Sequence, residues 1–286
     1  MPVAEFTRPQ KVNEVLDLLA EHGSEAKIIA GGQSLMVLLH EGLLDPKVLV
    51  SLTGVRELDG IDVDGQARIG ALCTHAQIMR HPEIRARWPV LAAAEQAVST
   101  VQIRNRGTLC GNVAHAYPTA DPPAALMALD AVLHLRSRRG ERTVPVEKFI
   151  SGPLTTVLTE DELIVSVTLP PPPAGARYSY RKYAIRPLDF AIVGVAVRIA
   201  SDAPSDGEGP CRDVRVAVNG GAACPVRMSR AEQALEHRTL TAESIEAAAQ
   251  AAADEAEPLE EVFESAAYRR KMVRVFVRRA LTDLLP

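Results

Sequence analysis

Four consecutive prolines, Pro170, Pro171, Pro172 and Pro173, interrupt this chain of 286 residues. Proline lacks an amide hydrogen and fixes φ, so no sheet continues through such a run. It travels instead as a stiff, extended connector. The strand pattern over 162–169 must end there, and the main domain boundary is expected at the same place. A first domain would span 1–173, with subdomains of about 1–55 and 56–173, and a second 174–286. The length allows a core in each.

Within the first part, two glycine-containing stretches stand out. Lys27, Ile28, Ile29 and Ala30 run into Gly31 and Gly32, then Gln33, Ser34 and an apolar segment from Leu35 to Leu39. This reads as a buried strand, a tight turn and a helix start. Glycine lets backbone approach a ligand closely, and successive amides in such a turn form a concavity for an anion. An ordinary strand–turn–helix link with Ser34 as cap fits the same residues. The second stretch is Gly107, Thr108, Leu109, Cys110, Gly111, Asn112, running on through His115 and Asp121 into an apolar helix over 124–131. Two such bends, each beside a helix start, suit a ligand with two phosphates.

In order and spacing, the two stretches resemble the FAD-binding medium subunit of the molybdenum hydroxylases, the carbon monoxide dehydrogenase and xanthine dehydrogenase family. The likeness covers essentially the whole chain. Residues 30–34 are close to that family's first pyrophosphate motif. Thr108 to Asn112 matches its second, usually Thr-Ile-Gly-Gly-Asn, with Leu109 for Ile and Cys110 for the first glycine. The resemblance implies an α+β fold: a two-subdomain FAD-binding domain of the vanillyl-alcohol-oxidase/PCMH type, then a C-terminal domain with a small antiparallel sheet and helices. FAD would lie extended between the subdomains. Its implied contacts are Ile29, Ala30, Gly31, Gly32, Gln33, Ser34 and Leu35 in the first stretch, and Thr108, Leu109, Gly111 and Asn112 in the second. Ala71 and Thr74 would pass the flavin, although a plain strand end and helix cap read equally well. Ala120 and Asp121 would meet the ribose or ribitol; Asp121 also reads as an N-cap. Tyr180 and Lys182, with Asp189 beyond, match a segment near the isoalloxazine, where a lysine would stabilise reduced flavin electrostatically; strand packing is the alternative.

The same likeness implies electron transfer from a 2Fe–2S small subunit through FAD to an external acceptor, with a molybdopterin-binding large subunit completing the complex, as a dimer of heterotrimers. Neither other centre has a visible site in this chain. Its four cysteines, Cys73, Cys110, Cys211 and Cys224, form no Cys-x-x-Cys pair, and a cluster needs grouped thiolates. The seven histidines show no metal spacing; His115, inside the second stretch, is the one to watch. No catalytic triad and no Rossmann Gly-x-Gly-x-x-Gly is present, so no catalytic residue is assigned. A net charge of −4 gives no reason to expect nucleic acid. No apolar run approaches membrane-spanning length and the N-terminus lacks an export pattern, so the expected location is cytoplasmic.

The remaining pattern is local. Val12, Val15, Leu16 and Leu19 share a helical face before Gly23; residues 60–72 form a hairpin about Gly65; residues 132–136 and 142–146 flank another at Arg139 and Gly140. Residues 89–98 form an alanine-rich helix. Beyond the prolines, strands are expected over 191–197 and 214–221, with an exposed loop over 201–209 between them. Thr241 caps a helix over 242–256, and a last helix over 265–285 would set Tyr268, Met272, Val275 and Phe276 on one side, with a basic face elsewhere. Two rivals stand beside the subunit reading: a self-sufficient flavin oxidase or dehydrogenase, for which about a hundred C-terminal residues are few for a substrate-capping domain, and a non-catalytic nucleotide-binding assembly module.

Overall fold

The computed structural model describes residues 5–201, 209–260 and 264–285. The expected loop over 201–209 falls mostly outside them. The chain begins with a three-stranded parallel sheet ordered β1–β3–β2: β1 (Glu5–Thr7), α1 (Val12–His22), β2 (Ala26–Ile29), α2 (Leu35–His40) and β3 (Val48–Ser51). The amphipathic face of α1, with Val12, Val15, Leu16 and Leu19, is buried, and Gly23 turns the chain at φ 51°. β1 lacks a sequence signature: three residues with Phe6 exposed carry no alternation to read.

The second layer is a five-stranded antiparallel sheet with the strand over 163–169 at its centre. Its first hairpin, β4 (Ile61–Asp64) and β5 (Gln66–Gly70), turns at Gly65, φ 69°. A run of short helices follows: α3 (His75–Arg80), α4 (Pro82–Arg87), α5 (Pro89–Ala97), α6 (Val101–Arg104), α7 (Leu109–His115) and α8 (Asp121–Ala128). Every residue of α8 is buried, because it is covered by α5 on one side and the C-terminal sheet on the other. Then come β6 (Val132–Ser137), β7 (Gly140–Pro145), α9 (Val146–Phe149), β8 (Ile150–Gly152), β9 (Thr155–Thr156) and the central strand β10 (Leu163–Leu169). The prolines follow β10 with no regular structure, and Trp88 Nε1 donates to the Pro170 carbonyl at 2.9 Å.

A four-stranded antiparallel sheet comes next: β11 (Arg177–Tyr183), β12 (Val193–Ser201), β13 (Cys211–Asn219) and β14 (Val226–Arg227). All of β12 is buried, since it serves two cores. Val193, Val195, Val197 and Ile199 pack under α10 (Ser229–Leu235), α11 (Ala242–Glu255) and α12 (Ala266–Thr282), while Ala196 joins the N-terminal core. Such two-sided burial explains its apolar run from Val193 to Val197; the buried Arg198 that follows pairs with Asp130 and Asp213. Thr241 caps α11 in a capping box with Ser244.

The last helix buries more than its expected face: Phe276 is buried and Met272 and Val275 pack against the C-terminal core as expected. Its buried side carries Val273, Phe276, Val277, Ala280 and Leu281, with Arg269 among them, while Tyr268 is 38% exposed. Arg269 reaches Glu264 at 3.2 Å, which lets an arginine occupy the inward stripe. The expected basic face is partly tied down: Arg270 donates to the Ala256 carbonyl, and Arg274 and Arg278 share the Glu246 carboxylate.

Candidate cofactor site

The two glycine stretches, far apart in sequence, meet backbone to backbone. A Cβ on Gly31 would lie 2.0 Å from the Arg106 carbonyl oxygen and 2.8 Å from the Gly107 Cα. Only glycine permits that approach. Gly32 takes φ 73°, and Gln33 Nε2 donates to the Gly31 carbonyl at 3.0 Å. The amides of Gly32, Gln33, Ser34 and Leu35 donate to no acceptor among the described residues; the first intrahelical bond runs from Met36 N to Gly32 O at 3.2 Å. Four successive unpaired amides on a half-buried turn are the backbone groups an anion needs. Ser34 does not cap: its side chain accepts no hydrogen bond.

The second stretch is more ordered than a loop. Thr108 caps α7, its Oγ1 accepting from Gly111 N at 3.1 Å. Leu109 N donates to the Cys73 carbonyl and Asn112 N to the Thr108 carbonyl. The helix therefore consumes most of the amides that the motif was expected to offer. Cys110 sits where the family usually has glycine, yet its side chain is 4% exposed and belongs to the core. Burial drives its thiol far above the ordinary range, so it is an inert apolar group. Asn112 Oδ1 is buried without a partner among the described residues. A buried acceptor left unpaired asks for a donor from outside the chain.

Ala71 and Thr74 lie on the segment that joins the second stretch: Thr74 and Thr108 form an antiparallel bridge. Their polar groups serve the fold. Ala71 N donates to Val165 O at 3.1 Å, and Thr74 completes a capping box with Gln77.

Asp121, Tyr180 and Lys182 converge as a second cluster. Asp121 is the first residue of α8 rather than its cap, which is Ala120. Tyr180 OH donates to Asp121 Oδ1 at 2.6 Å, and Lys182 Nζ donates to Asp121 Oδ2 at 2.8 Å and to the Ala97 carbonyl at 2.9 Å. Burial pushes the Asp121 carboxyl above its ordinary range, with Lys182 opposing. Burial and the Asp121 charge hold the Tyr180 hydroxyl in its protonated form. An ammonium carries three donors, and these two bonds leave Lys182 one for a ligand. Asp189 stands apart on an exposed stretch. Just beyond it, Phe190 stacks on Tyr117 at 4.2 Å. His115 is half-buried, its imidazole pKa lowered by burial, with the Tyr117 ring at 6.0 Å.

Sequence reasoning missed the groups that brace these clusters. Asn219 Nδ2 donates to the carbonyls of Thr119 and Ala120, each at 2.9 Å. His75 Nδ1 pairs with Glu95, both buried. The one available signal was Glu95 itself, a lone acid in an alanine-rich helix. A cleft of about 590 Å³ opens elsewhere, between the proline connector and the C-terminus, and none of its lining residues belongs to the glycine turns. Among the described residues no cluster of His, Cys, Asp and Glu could hold a metal, and no helix is long and apolar enough to cross a membrane.

Fold and turns together define a class: an α+β protein of three main sheets that offers bare amides to an anionic cofactor without a Rossmann motif. Known proteins narrow it. Residues 2–172 match the family described as FAD binding domain in molybdopterin dehydrogenase, and residues 178–284 match the CO dehydrogenase flavoprotein C-terminal domain. The chain belongs to this family of FAD-binding medium subunits of molybdenum hydroxylases and is an oxidoreductase flavoprotein. It is 36% identical to the 6-hydroxypseudooxynicotine dehydrogenase complex subunit alpha of Paenarthrobacter nicotinovorans, over 99% of this chain and 95% of that one. It is 34% identical to the nicotine 6-hydroxylase medium subunit of the same organism, covering 99% and 98%. A carbon monoxide dehydrogenase structure from Hydrogenophaga pseudoflava, lacking the Mo-pyranopterin moiety, superposes with a TM-score of 0.93 at 34% identity, covering 98% and 96%. These matches favour the subunit reading over the stand-alone oxidase and the assembly module.

Proposed function

We propose that this chain holds FAD across its two glycine turns and serves as the electron-transfer subunit of a cytoplasmic molybdenum hydroxylase. Its partners would be a molybdopterin-binding large subunit and a 2Fe–2S small subunit, in a dimer of heterotrimers. That partnership is supported by relatives named as a complex subunit and as medium subunits. The functional division would fall near Pro173, with the residues beyond it closing the site through Tyr180 and Lys182.

The residues fit a diphosphate-bridged cofactor. The amides of Gly32 to Leu35 would hold its phosphate oxygens, and the Asn112 side chain would take a donor from it. Lys182 would present its remaining N–H to an electron-rich carbonyl edge, while Asp121 and Tyr180 fix the ammonium in place. Bound FAD supplies the redox chemistry, taking up and releasing electrons; the protein supplies position and electrostatics. The oxidised substrate would meet the molybdenum subunit, not this chain.

The observation that carries the reading is the contact of Gly31 with Arg106 and Gly107, which makes one surface of two turns. The test is an absorption spectrum of the purified full-length chain after incubation with FAD. A bound flavin spectrum is expected; a colourless protein that takes up no FAD, alone or with its co-purifying partners, would overturn the reading.

A further inference from the structure

A buried ionisable pair lies beside the second glycine turn. His75 and Glu95 have side chains 3% and 0% exposed. The imidazole Nδ1 hydrogen-bonds Glu95 Oε2, while Glu95 Oε1 has no partner among the described residues. A buried carboxylate oxygen without a partner is costly, and an apolar pair would fill the same space without that cost.

Gly107 meets both the backbone and the ring of His75. The His75 backbone amide donates to the Gly107 carbonyl at 3.0 Å. A Cβ on Gly107 would meet the ring at 3.0 Å (Cδ2) and 3.2 Å (Nε2). Gly107 thus lies between the His75 ring and Gly31, too close to either for a side chain of its own. Glu95 in turn fixes the ring.

We propose that His75, pinned by Glu95, is a positioning residue for the cofactor's diphosphate: it sets the depth of the Gly107 turn against Gly31 and so the alignment of the free amides. The inference rests on the FAD reading above and adds a residue pair to it. A ring allowed to tilt lets Gly107 retreat, and the first turn loses the backbone it leans on.

The test uses the full-length chain and FAD, with His75→Leu and Glu95→Gln. Glu95→Gln keeps the volume and removes the charge, so it decides the matter if His75→Leu fails to fold. Three quantities are read: the FAD dissociation constant by flavin fluorescence, the phosphorus NMR resonances of the bound diphosphate, and the unfolding midpoint of the FAD-free protein. The expected result is a weakening of FAD binding of roughly tenfold, the loss of about one charge-assisted hydrogen bond, together with displaced diphosphate resonances. A lowered midpoint with unchanged affinity and unchanged resonances would mean that the pair only packs, and would overturn the inference while leaving the FAD reading intact. A wild-type chain that takes up no FAD would overturn both.

Discussion

Lys182 and Asp121 stand 61 positions apart in sequence, yet Nζ and Oδ2 lie 2.8 Å apart, with side chains only 11% and 5% exposed. The pair bridges strand β11 to the first turn of helix α8. Breaking one side of a buried pair strands the other charge, at a cost of about 3–5 kcal/mol. Lys182→Met should therefore destabilise the chain strongly. Lys182→Met with Asp121→Asn should recover much of that loss, because no bare charge remains. Urea unfolding of the three variants checks this; equal stability of single and double variants would refute it.

Acid stability should depend on Glu162. The guanidinium of Arg142 grips its carboxylate through two bonds, at 2.6 and 2.7 Å, and holds its pKa down from 4.5 to about 2. A carboxyl with a depressed folded pKa contributes stability above its unfolded pKa and loses it as pH falls toward the folded one. Wild type should thus lose stability between about pH 5 and about pH 3, and Glu162→Gln should lose less over the same window. Denaturation midpoints at the two pH values measure the difference.

Two glycine substitutions should separate turn contact from backbone strain. Gly31→Ala forces a methyl onto the Arg106 carbonyl; it should cost about 1–3 kcal/mol as overpacking and sharply weaken FAD binding. Gly42 has φ 68° with nothing within 4 Å of an added Cβ. Gly42→Ala should cost about 1 kcal/mol from left-handed strain and leave FAD binding alone. Flavin titration of both variants is the check.

Asn112 should show opposite signs for stability and binding. Its Oδ1 is buried with no partner among the described residues, so Asn112→Ala removes an unpaired acceptor. The FAD-free protein should be as stable as wild type or more so, while FAD affinity falls by about 1 kcal/mol or more. Calorimetry of the free and FAD-loaded forms tests both halves.

Patterned segments were legible from sequence. The α1 face, the Gly65 and Gly140 hairpins, the doubly buried β12 and the Thr241 cap all follow from periodicity and turn chemistry. Where an element departed from expectation, a side-chain contact within a few residues accompanied the change. α7 formed inside a glycine stretch because Thr108 found Gly111 as a capping partner. The inward side of α12 includes Arg269, which pairs with Glu264. At the candidate site, the glycine turns and the trio Asp121, Tyr180 and Lys182 could be picked out singly, but their mutual hydrogen bonds join residues dozens of positions apart, and no local pattern reports such a pairing. His75 and Asn219 left no trace for the same reason.

Asn219 deserves a last consequence. By clasping the carbonyls of Thr119 and Ala120, a residue near the tip of β13 sets the entrance of α8, whose first side chain is Asp121. A fragment cut at the prolines would surrender that clasp along with Tyr180 and Lys182, and so expose the apolar flank of α8 to water. The carboxyl-terminal sheet is therefore part of what holds the start of α8 in place, not a removable appendage.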